Sequence, residues 1–449
     1  MNILVVNGSP SGDHSITLQT VLYLQKMFPE HIYEFLNAGQ KIRKMEKDFA
    51  PCVEALERAD LVLFCYPVYT FLVPSQLHRF IELTKESGID LRDKYVTQIS
   101  TSKHFYDITA HAFIEDNCAD LGMKILRGLS ADMDDLLHAK GQKEAEAWFR
   151  FVLWSMERNI YGTAVRPEPS AERVRASEAE SAEKKGGRYA VITDYDENDA
   201  ESGNLQAMIR RFAAKAHREV TVVNLRTFPF AGGCLGCFSC AADGTCIYKD
   251  GFDRFLREKI QTADAIVYAY TVKGHSMGYR FKLYDDRQFC NGHRTVTMGM
   301  PQGYLVDGDL SAEKNLMTLM EARAQVGGNY LCGIVSDTAD TDRQIDALAD
   351  TLEYAVMHHY TQPVNFYGVG GMKIFRDLIW QMQGLMQEDH RFYKEHGFYD
   401  FPQKKLPMML GMYAVGSMMR SPKLKKKLNG KMTEGMILPY KKIVEKAGK

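Results

Sequence analysis

Cysteine is scarce in this sequence, with nine in 449 residues, too few for a disulfide framework. Net charge is almost missing as well: 56 Lys and Arg stand against 57 Asp and Glu, leaving −1, so the chain as a whole has no nucleic-acid signature. No apolar run reaches the ~20 residues of a membrane span; the longest, Leu406–Met419, has about 14. The opening residues, Met1-Asn2-Ile3-Leu4-Val5-Val6, are too short and too β-branched for a secretory segment. No signal peptide is expected, and the compartment is expected to be cytoplasmic and reducing. What remains is ordinary for a globular protein, 45% hydrophobic and 25% charged, which excludes overall disorder and a collagen-like repeat.

The scarce features are unevenly placed. Four of the nine cysteines fall between Cys234 and Cys246, a clustering that suggests metal or redox chemistry. From Gln403 to Lys449 twelve Lys and Arg face two Asp and Glu, a local charge of +10. This tail also belongs to a segment, 362–449, that holds ten of the 23 methionines.

Alternating patterns set the organisation. Short apolar runs predict strands at Ile3–Asn7, Ile32–Leu36, Leu61–Tyr66, Tyr95–Ser100 and Met123–Leu129. Helical spacing begins near Ser15 and recurs at Gln76–Lys85, Thr109–Leu121 and Gln142–Asn159. Strands separated by helices imply right-handed crossovers and a parallel sheet covered on both faces. After a charged, Ser/Ala/Pro-rich stretch the pattern restarts: strands at Tyr189–Thr193, Val220–Asn224, Ala265–Thr271, Val296–Met300 and Tyr330–Ser336, and helices at Leu205–Ala216, Ala312–Val326 and Arg343–His358. The repetition argues for a tandem duplication. The expected fold is α/β, two flavodoxin-like doubly wound five-stranded sheets of order 2-1-3-4-5 plus a helical extension. The expected domains are 1–165, a linker at 166–187, 188–361, and a Met-rich basic extension at 362–449.

Two segments carry chemistry. Asn7-Gly8-Ser9-Pro10-Ser11-Gly12-Asp13-His14-Ser15-Ile16-Thr17 joins the first strand to the first helix. There backbone amides and the helix dipole favour an anion, and the hydroxyls of Ser9, Ser15 and Thr17 add uncharged donors. A nucleoside-triphosphate loop would need Gly-Lys-Ser/Thr and a dinucleotide loop GxGxxG; neither is present. The second segment is Cys234, Cys237, Cys240 and Cys246, spaced CxxCxxCx5C. A [4Fe–4S] cluster, a tetrahedral zinc and free thiols are the three readings, and successive CxxC steps are closer to cluster ligation than to the paired CxxC of zinc sites.

The run Gly8-Ser9-Pro10 with Ser15 and Thr17, together with Pro67-Val68-Tyr69 and the partial motif Leu77-His78-Arg79-Phe80-Ile81-Glu82, resembles the NADPH-dependent FMN reductase and iron–sulfur flavoprotein family. The resemblance implies that Ser9, Pro10, Ser15, Ile16 and Thr17 hold the phosphate of FMN. It also implies that Pro67, Val68 and Tyr69 and the turn at Thr101–Tyr106, including Ser102, border the flavin ring. It implies cluster ligation by the four cysteines and NAD(P)H as electron donor.

The two halves have lost complementary parts. The second-half loop, Thr193-Asp194-Tyr195-Asp196-Glu197-Asn198-Asp199-Ala200-Glu201, holds five carboxylates that would repel a phosphate. The Pro-x-Tyr position there reads Thr271-Val272-Lys273, while the first half lacks the cysteine loop. A fused pseudo-dimer with one composite site is therefore expected, in which the second domain's cysteines face the first domain's FMN. The functional expectation is an FMN-dependent NAD(P)H oxidoreductase serving a small-molecule or redox-protein acceptor. The alternatives are a non-catalytic flavodoxin-type electron carrier and a binding module with a decayed flavin site. No catalytic acid or base is assigned. The basic tail is expected to be an apolar arm packed on the protein with a solvated end, rather than a membrane-binding surface.

Overall fold

β-Branched and aromatic runs form the strands, as the period and composition of the sequence demand. In the computed structural model, which describes residues 1–162, 172–197, 203–400, 405–423 and a few residues beyond (437, 440, 441 and 443–446), the first half runs β1 (Asn2–Asn7), α1 (Ile16–Met27), β2 (Ile32–Leu36), α2 (Ala38–Met45), α3 (Ala50–Arg58), β3 (Leu61–Pro67), α4 (Ser75–Glu86), β4 (Tyr95–Ser102), α5 (Asp107–Asp120), β5 (Lys124–Ile125), β6 (Leu129–Asp132) and α6 (Ala139–Glu157). Its sheet has the order β2-β1-β3-β4-β5, with β6 also on β4, and every pairing is parallel.

The second half repeats the plan: β7 (Lys185–Thr193), α7 (Gly203–Lys215), β8 (Arg218–Asn224), the short α8 (Ser239–Asp243) and α9 (Phe252–Phe255), β9 (Ala265–Thr271), α10 (Tyr279–Arg287), β10 (Pro301–Asp307), α11 (Lys314–Gly327), β11 (Tyr330–Ser336) and α12 (Thr341–His358). The order β11-β10-β9-β7-β8 is again 2-1-3-4-5, all parallel. Helices α13 (Phe366–Gln381) and α14 (Gln387–Glu395) follow.

Residues 1–393 form one compact unit holding both sheets. Three apolar clusters build it. One covers the outer face of the first sheet (Val5, Val21, Leu63, Phe149) and one the outer face of the second (Val191, Phe212, Val267, Leu348). The third is shared by the two halves, and unites Phe71, Phe80 and Phe113 with Phe252, Phe281 and Tyr284. Helices α4 and α10 pack on each other in this shared core. The shared aromatic residues make the two halves parts of one hydrophobic interior.

Three sequence expectations need correction. The strand expected at Val296–Met300 lies instead at Pro301–Asp307. Its start, Pro-Gln-Gly, reads as a turn, but a proline is tolerated as the first residue of a strand, and Gly303 packs closely, a Cβ there coming 2.8 Å from the end of the Leu348 side chain. The single strand expected at Met123–Leu129 is split into β5 and β6, broken at Gly128, where a Cβ would lie 2.5 Å from the Gln98 side chain. Helices α2 and α3 were not anticipated.

The remaining unit is residues 394–449. Its helix α15 (Leu406–Met419) begins with a proline in its first turn, and Leu406, Met408, Leu410 and Tyr413 are exposed. Lys425, Lys426 and Lys427, part of the basic tail, lie outside the described residues. Among the described residues no helix is long and apolar enough to cross a membrane.

Candidate functional site

The carboxyl ends of β1, β3 and β4 converge at one edge of the first sheet, the place where a doubly wound fold binds ligands. The loop after β1 is buried: Ser9 and Ser15 are each 3% exposed and Thr17 1%, Pro10 is buried and Ile16 exposed. Ser15 caps α1, its Oγ accepting from the Leu18 amide at 3.3 Å, and Ser9 Oγ accepts from the Ser11 amide at 3.2 Å. Both hydroxyls act only as acceptors in these bonds, so their protons are left for a further partner. The Ile16 and Thr17 amides, at the start of α1, have no carbonyl within the helix to reach. Gly39 lies beneath the loop so closely that a Cβ would come 2.1 Å from the Ser9 carbonyl oxygen.

The second and third expected segments join this loop. Thr17 Oγ1 is 2.6 Å from Thr101 Oγ1. The Val68 amide donates to the Thr101 carbonyl at 3.4 Å, and Ser102 Oγ accepts from the His104 amide at 2.8 Å. Pro67, Val68 and Tyr69 lead into a tight turn bridging Tyr69 and Leu72, whose central residues Thr70 and Phe71 have φ of 43° and 70°. The second half repeats this turn at residues 273–276, with Gly274 and His275 at φ 53° and 59°. The backbone of the duplication thus survives where its side chains do not.

The cysteine loop of the second half reaches the first-half turn. Gln76 Nε2 donates to the Cys234 carbonyl at 3.2 Å, and Lys282 Nζ donates to the Tyr69 carbonyl at 2.7 Å. Gly236 passes so near Tyr69 that a Cβ would lie 1.9 Å from the phenol oxygen; its φ of 62° also favours glycine. Burial, reinforced by Cys234, Asp286 and Cys237, raises the Tyr69 phenol far above its ordinary range.

The four thiols lie near enough to one another that, besides burial, Cys240 and Cys237 raise the Cys234 thiol, and Cys246 and Cys237 the Cys240 thiol. Cys240 Sγ donates to the Phe289 carbonyl at 3.0 Å, Cys234 Sγ accepts from the Gly236 amide at 3.5 Å and Cys237 is exposed. Burial pushes the Cys240 thiol up to about 11. Among the described residues no group of three or more His, Cys, Asp and Glu is placed to hold a metal ion. As they stand, the four cysteines do not form a cluster cage. Guanidinium groups nevertheless surround the loop: Arg257 donates to the Gly244 carbonyl at 2.6 Å, and Arg287 Nη2 lies 3.9 Å from Cys246 Sγ.

Three residues that the sequence did not single out, Phe289, His293 and Phe375, join Tyr69 and the 101–106 turn at this edge. Tyr69 meets Phe289 edge-on at 5.7 Å, Phe289 meets His293 at 6.0 Å, His293 meets Phe375 at 4.7 Å, and Phe375 stacks on Phe105 at 4.2 Å. This series of rings comes from four parts of the chain and links the Tyr69 turn to the 101–106 turn. Tyr106 completes it, donating to the Tyr367 carbonyl at 2.7 Å.

The matching edge of the second sheet is built for the opposite charge. Strand register pairs Pro67 with Thr101 in the first sheet and Thr271 with Asp307 in the second, so a carboxylate stands where the first half has the Thr101 hydroxyl. Asp307 and Asp337 are buried and both pair with Arg173, from the segment joining the halves. Burial and the neighbouring Asp337 raise the Asp307 carboxyl. Burial likewise pushes Asp194 up to about 6, against the pull of Lys273, Arg226 and Arg280. Asn198, Asp199, Ala200 and Glu201 of the acidic loop lie outside the described residues.

The buried hydroxyls, the free helix amides and the close-packed glycine of the first edge fit an FMN phosphate. The sequence model of the NADPH-dependent FMN reductase family matches residues 1–129. An iron–sulfur flavoprotein of Archaeoglobus fulgidus is 25% identical over 174 residues, 37% of this chain and 79% of that protein. Among solved structures, an NAD(P)H:quinone oxidoreductase of Methanothermobacter marburgensis has 13% identity and a TM-score of 0.29, covering 35% of this chain and 96% of its own. An FMN-dependent NADH-azoreductase of Bacillus anthracis, in complex with FMN, has 14% identity and a TM-score of 0.27, covering 33% and 98%. Residues 1–129 thus match the NADPH-dependent FMN reductase family, and the class that this match supports for the chain is that of the FMN-dependent oxidoreductases.

Proposed function

We propose that the chain oxidises NAD(P)H at a single composite flavin site and passes the electrons to a small-molecule or redox-protein acceptor. The observation that carries this reading is the seating of second-half residues, the Cys234–Gly236 segment and Phe289, on the Tyr69 turn of the first half. FMN, when bound, supplies hydride acceptance and release of electrons singly or in pairs.

The protein's own residues bind, orient and exclude water. Ser9, Ser15 and Thr17, with the first amides of α1, hold the phosphate without a cation. Thr101 ties the phosphate loop to the ring-bordering turn through Thr17. Tyr69, Phe105, Phe289 and Phe375 wall the ring position with apolar surface, which keeps a reduced cofactor from water. The second edge, with Asp307 and Asp337 closed by Arg173, is the retired copy.

A [4Fe–4S] cluster on Cys234, Cys237, Cys240 and Cys246 is a finer reading, supported by ligand spacing, by the name of the Archaeoglobus relative and by the surrounding arginines. The thiols as placed do not form its cage, so no electron step is derived through it.

Replacing both Ser9 and Ser15 by alanine removes two charge-assisted hydrogen bonds, each worth about 1.5–3 kcal/mol. FMN affinity, read by quenching of flavin fluorescence, is expected to fall at least about 100-fold while riboflavin, which lacks the phosphate, binds as before. Equal loss for both ligands would contradict a phosphate role.

A further inference from the structure

His293 stands in the aromatic series between Phe289 and Phe375. Its Nδ1 lies 3.1 Å from Asp389 Oδ2, and the same carboxylate oxygen accepts the His293 amide at 3.1 Å. Asp389 is fully buried on α14, and a Cβ at Gly292 would come 2.1 Å from its Oδ1, so the carboxylate is seated against backbone. Tyr393, also buried, donates to the His293 carbonyl at 3.1 Å. The charged and titratable groups around them include Arg294, 3.4 Å from Asp389 Oδ1, Glu388, 3.5 Å from Arg294 and also paired with Arg391, and Cys240, whose thiol Asp389 helps to raise. A carboxylate facing Nδ1 fixes the Nδ1–H tautomer of the neutral ring and leaves Nε2 as the exchangeable position. Among the described residues Nε2 has no partner, so the arrangement is a buried acid orienting a histidine whose other nitrogen is left for a ligand.

We propose that His293, positioned by Asp389, is the proton donor to the electron acceptor in the composite site. This rests on the flavin reading above and deepens it: the acceptor is a planar molecule that takes a hydride and a proton together. Reduced flavin, when bound, would supply the hydride with its electron pair to the acceptor and would be oxidised in doing so. The imidazolium gives its Nε2 proton to the acceptor oxygen or nitrogen that would otherwise carry the negative charge, and water reprotonates the ring. The aromatic walls suit a flat acceptor, and a bulky protein surface would not place an atom at Nε2. Asp389 touches neither flavin nor acceptor and acts through His293.

Two measurements test this. Nitrogen NMR of labelled protein without added flavin is expected to show neutral His293 protonated at Nδ1, and Asp389→Asn is expected to shift that population. A ring protonated at Nε2, or one indifferent to Asp389→Asn, would overturn the proposal. With FMN and NAD(P)H, 1,4-benzoquinone requires a proton on reduction and ferricyanide requires none. General-acid contributions are typically at least 100-fold, so His293→Gln is expected to lower the ratio of quinone to ferricyanide turnover about 100-fold near neutral pH. Asp389→Asn should lower it less. Ferricyanide turnover with an unchanged ratio would sink the proposal alone. Absence of nicotinamide-driven ferricyanide reduction in the unaltered protein would sink the flavin reading and the proposal with it.

Discussion

Lys282 and Asp286 are both wholly buried and paired. Lys282 also donates to the Tyr69 carbonyl, and Asp286 accepts the Ser75 amide at 2.7 Å. One ion pair therefore holds the Tyr69 turn, the start of α4 and the second half in register. Burial pushes the Asp286 carboxyl up, and Lys282 opposes the shift. Removing one partner of such a pair leaves an uncompensated charge and costs about 3–5 kcal/mol. Lys282→Met is expected to lose stability of that order in urea denaturation, and Lys282→Met with Asp286→Leu to regain most of it. A single variant as stable as the unaltered protein would show that the pair does not hold the interface.

At the scale of elements, what was legible followed from local pattern. The five parallel units of each half are spelled by short apolar runs and helical spacing, and the phosphate loop lies within a stretch whose hydroxyls, glycines and helix start are neighbours in sequence. The cysteine loop was legible for the same reason. Strand β10 was misplaced because a β-branched run precedes a Pro-Gln-Gly start that only tertiary packing makes a strand. His293 and Asp389 are 96 positions apart, and the rings that join Tyr69 to Phe105 come from four elements, so no spacing announces them. Arg173 escaped notice too, because its partners Asp307 and Asp337 are 134 and 164 positions away. In a charged linker it reads as a solvated residue. The complementary losses of the two halves were visible as composition, but the guanidinium that closes the second edge was not.

At the scale of the whole unit, the halves are also latched by charge. His275, on the second-half turn, has Nε2 2.7 Å from Asp120 and Nδ1 3.0 Å from Glu313. Burial would lower its pKa, but the two carboxylates outweigh burial and raise it to about 9. A group raised in the folded state adds stability that is full below its unfolded value of about 6.5 and lost as pH rises through about 9. The lead in melting temperature of the unaltered protein over His275→Gln is expected to shrink across that window. A gap that stays constant from about pH 6 to pH 10 would exclude the latch.

The central claim is that only one of the two duplicated edges binds flavin. Titration of the chain with FMN, read by fluorescence and by the visible spectrum, should end at one FMN per chain and lose that site with Ser9→Ala and Ser15→Ala together. Two equivalents, or a single equivalent that survives both substitutions, would contradict it.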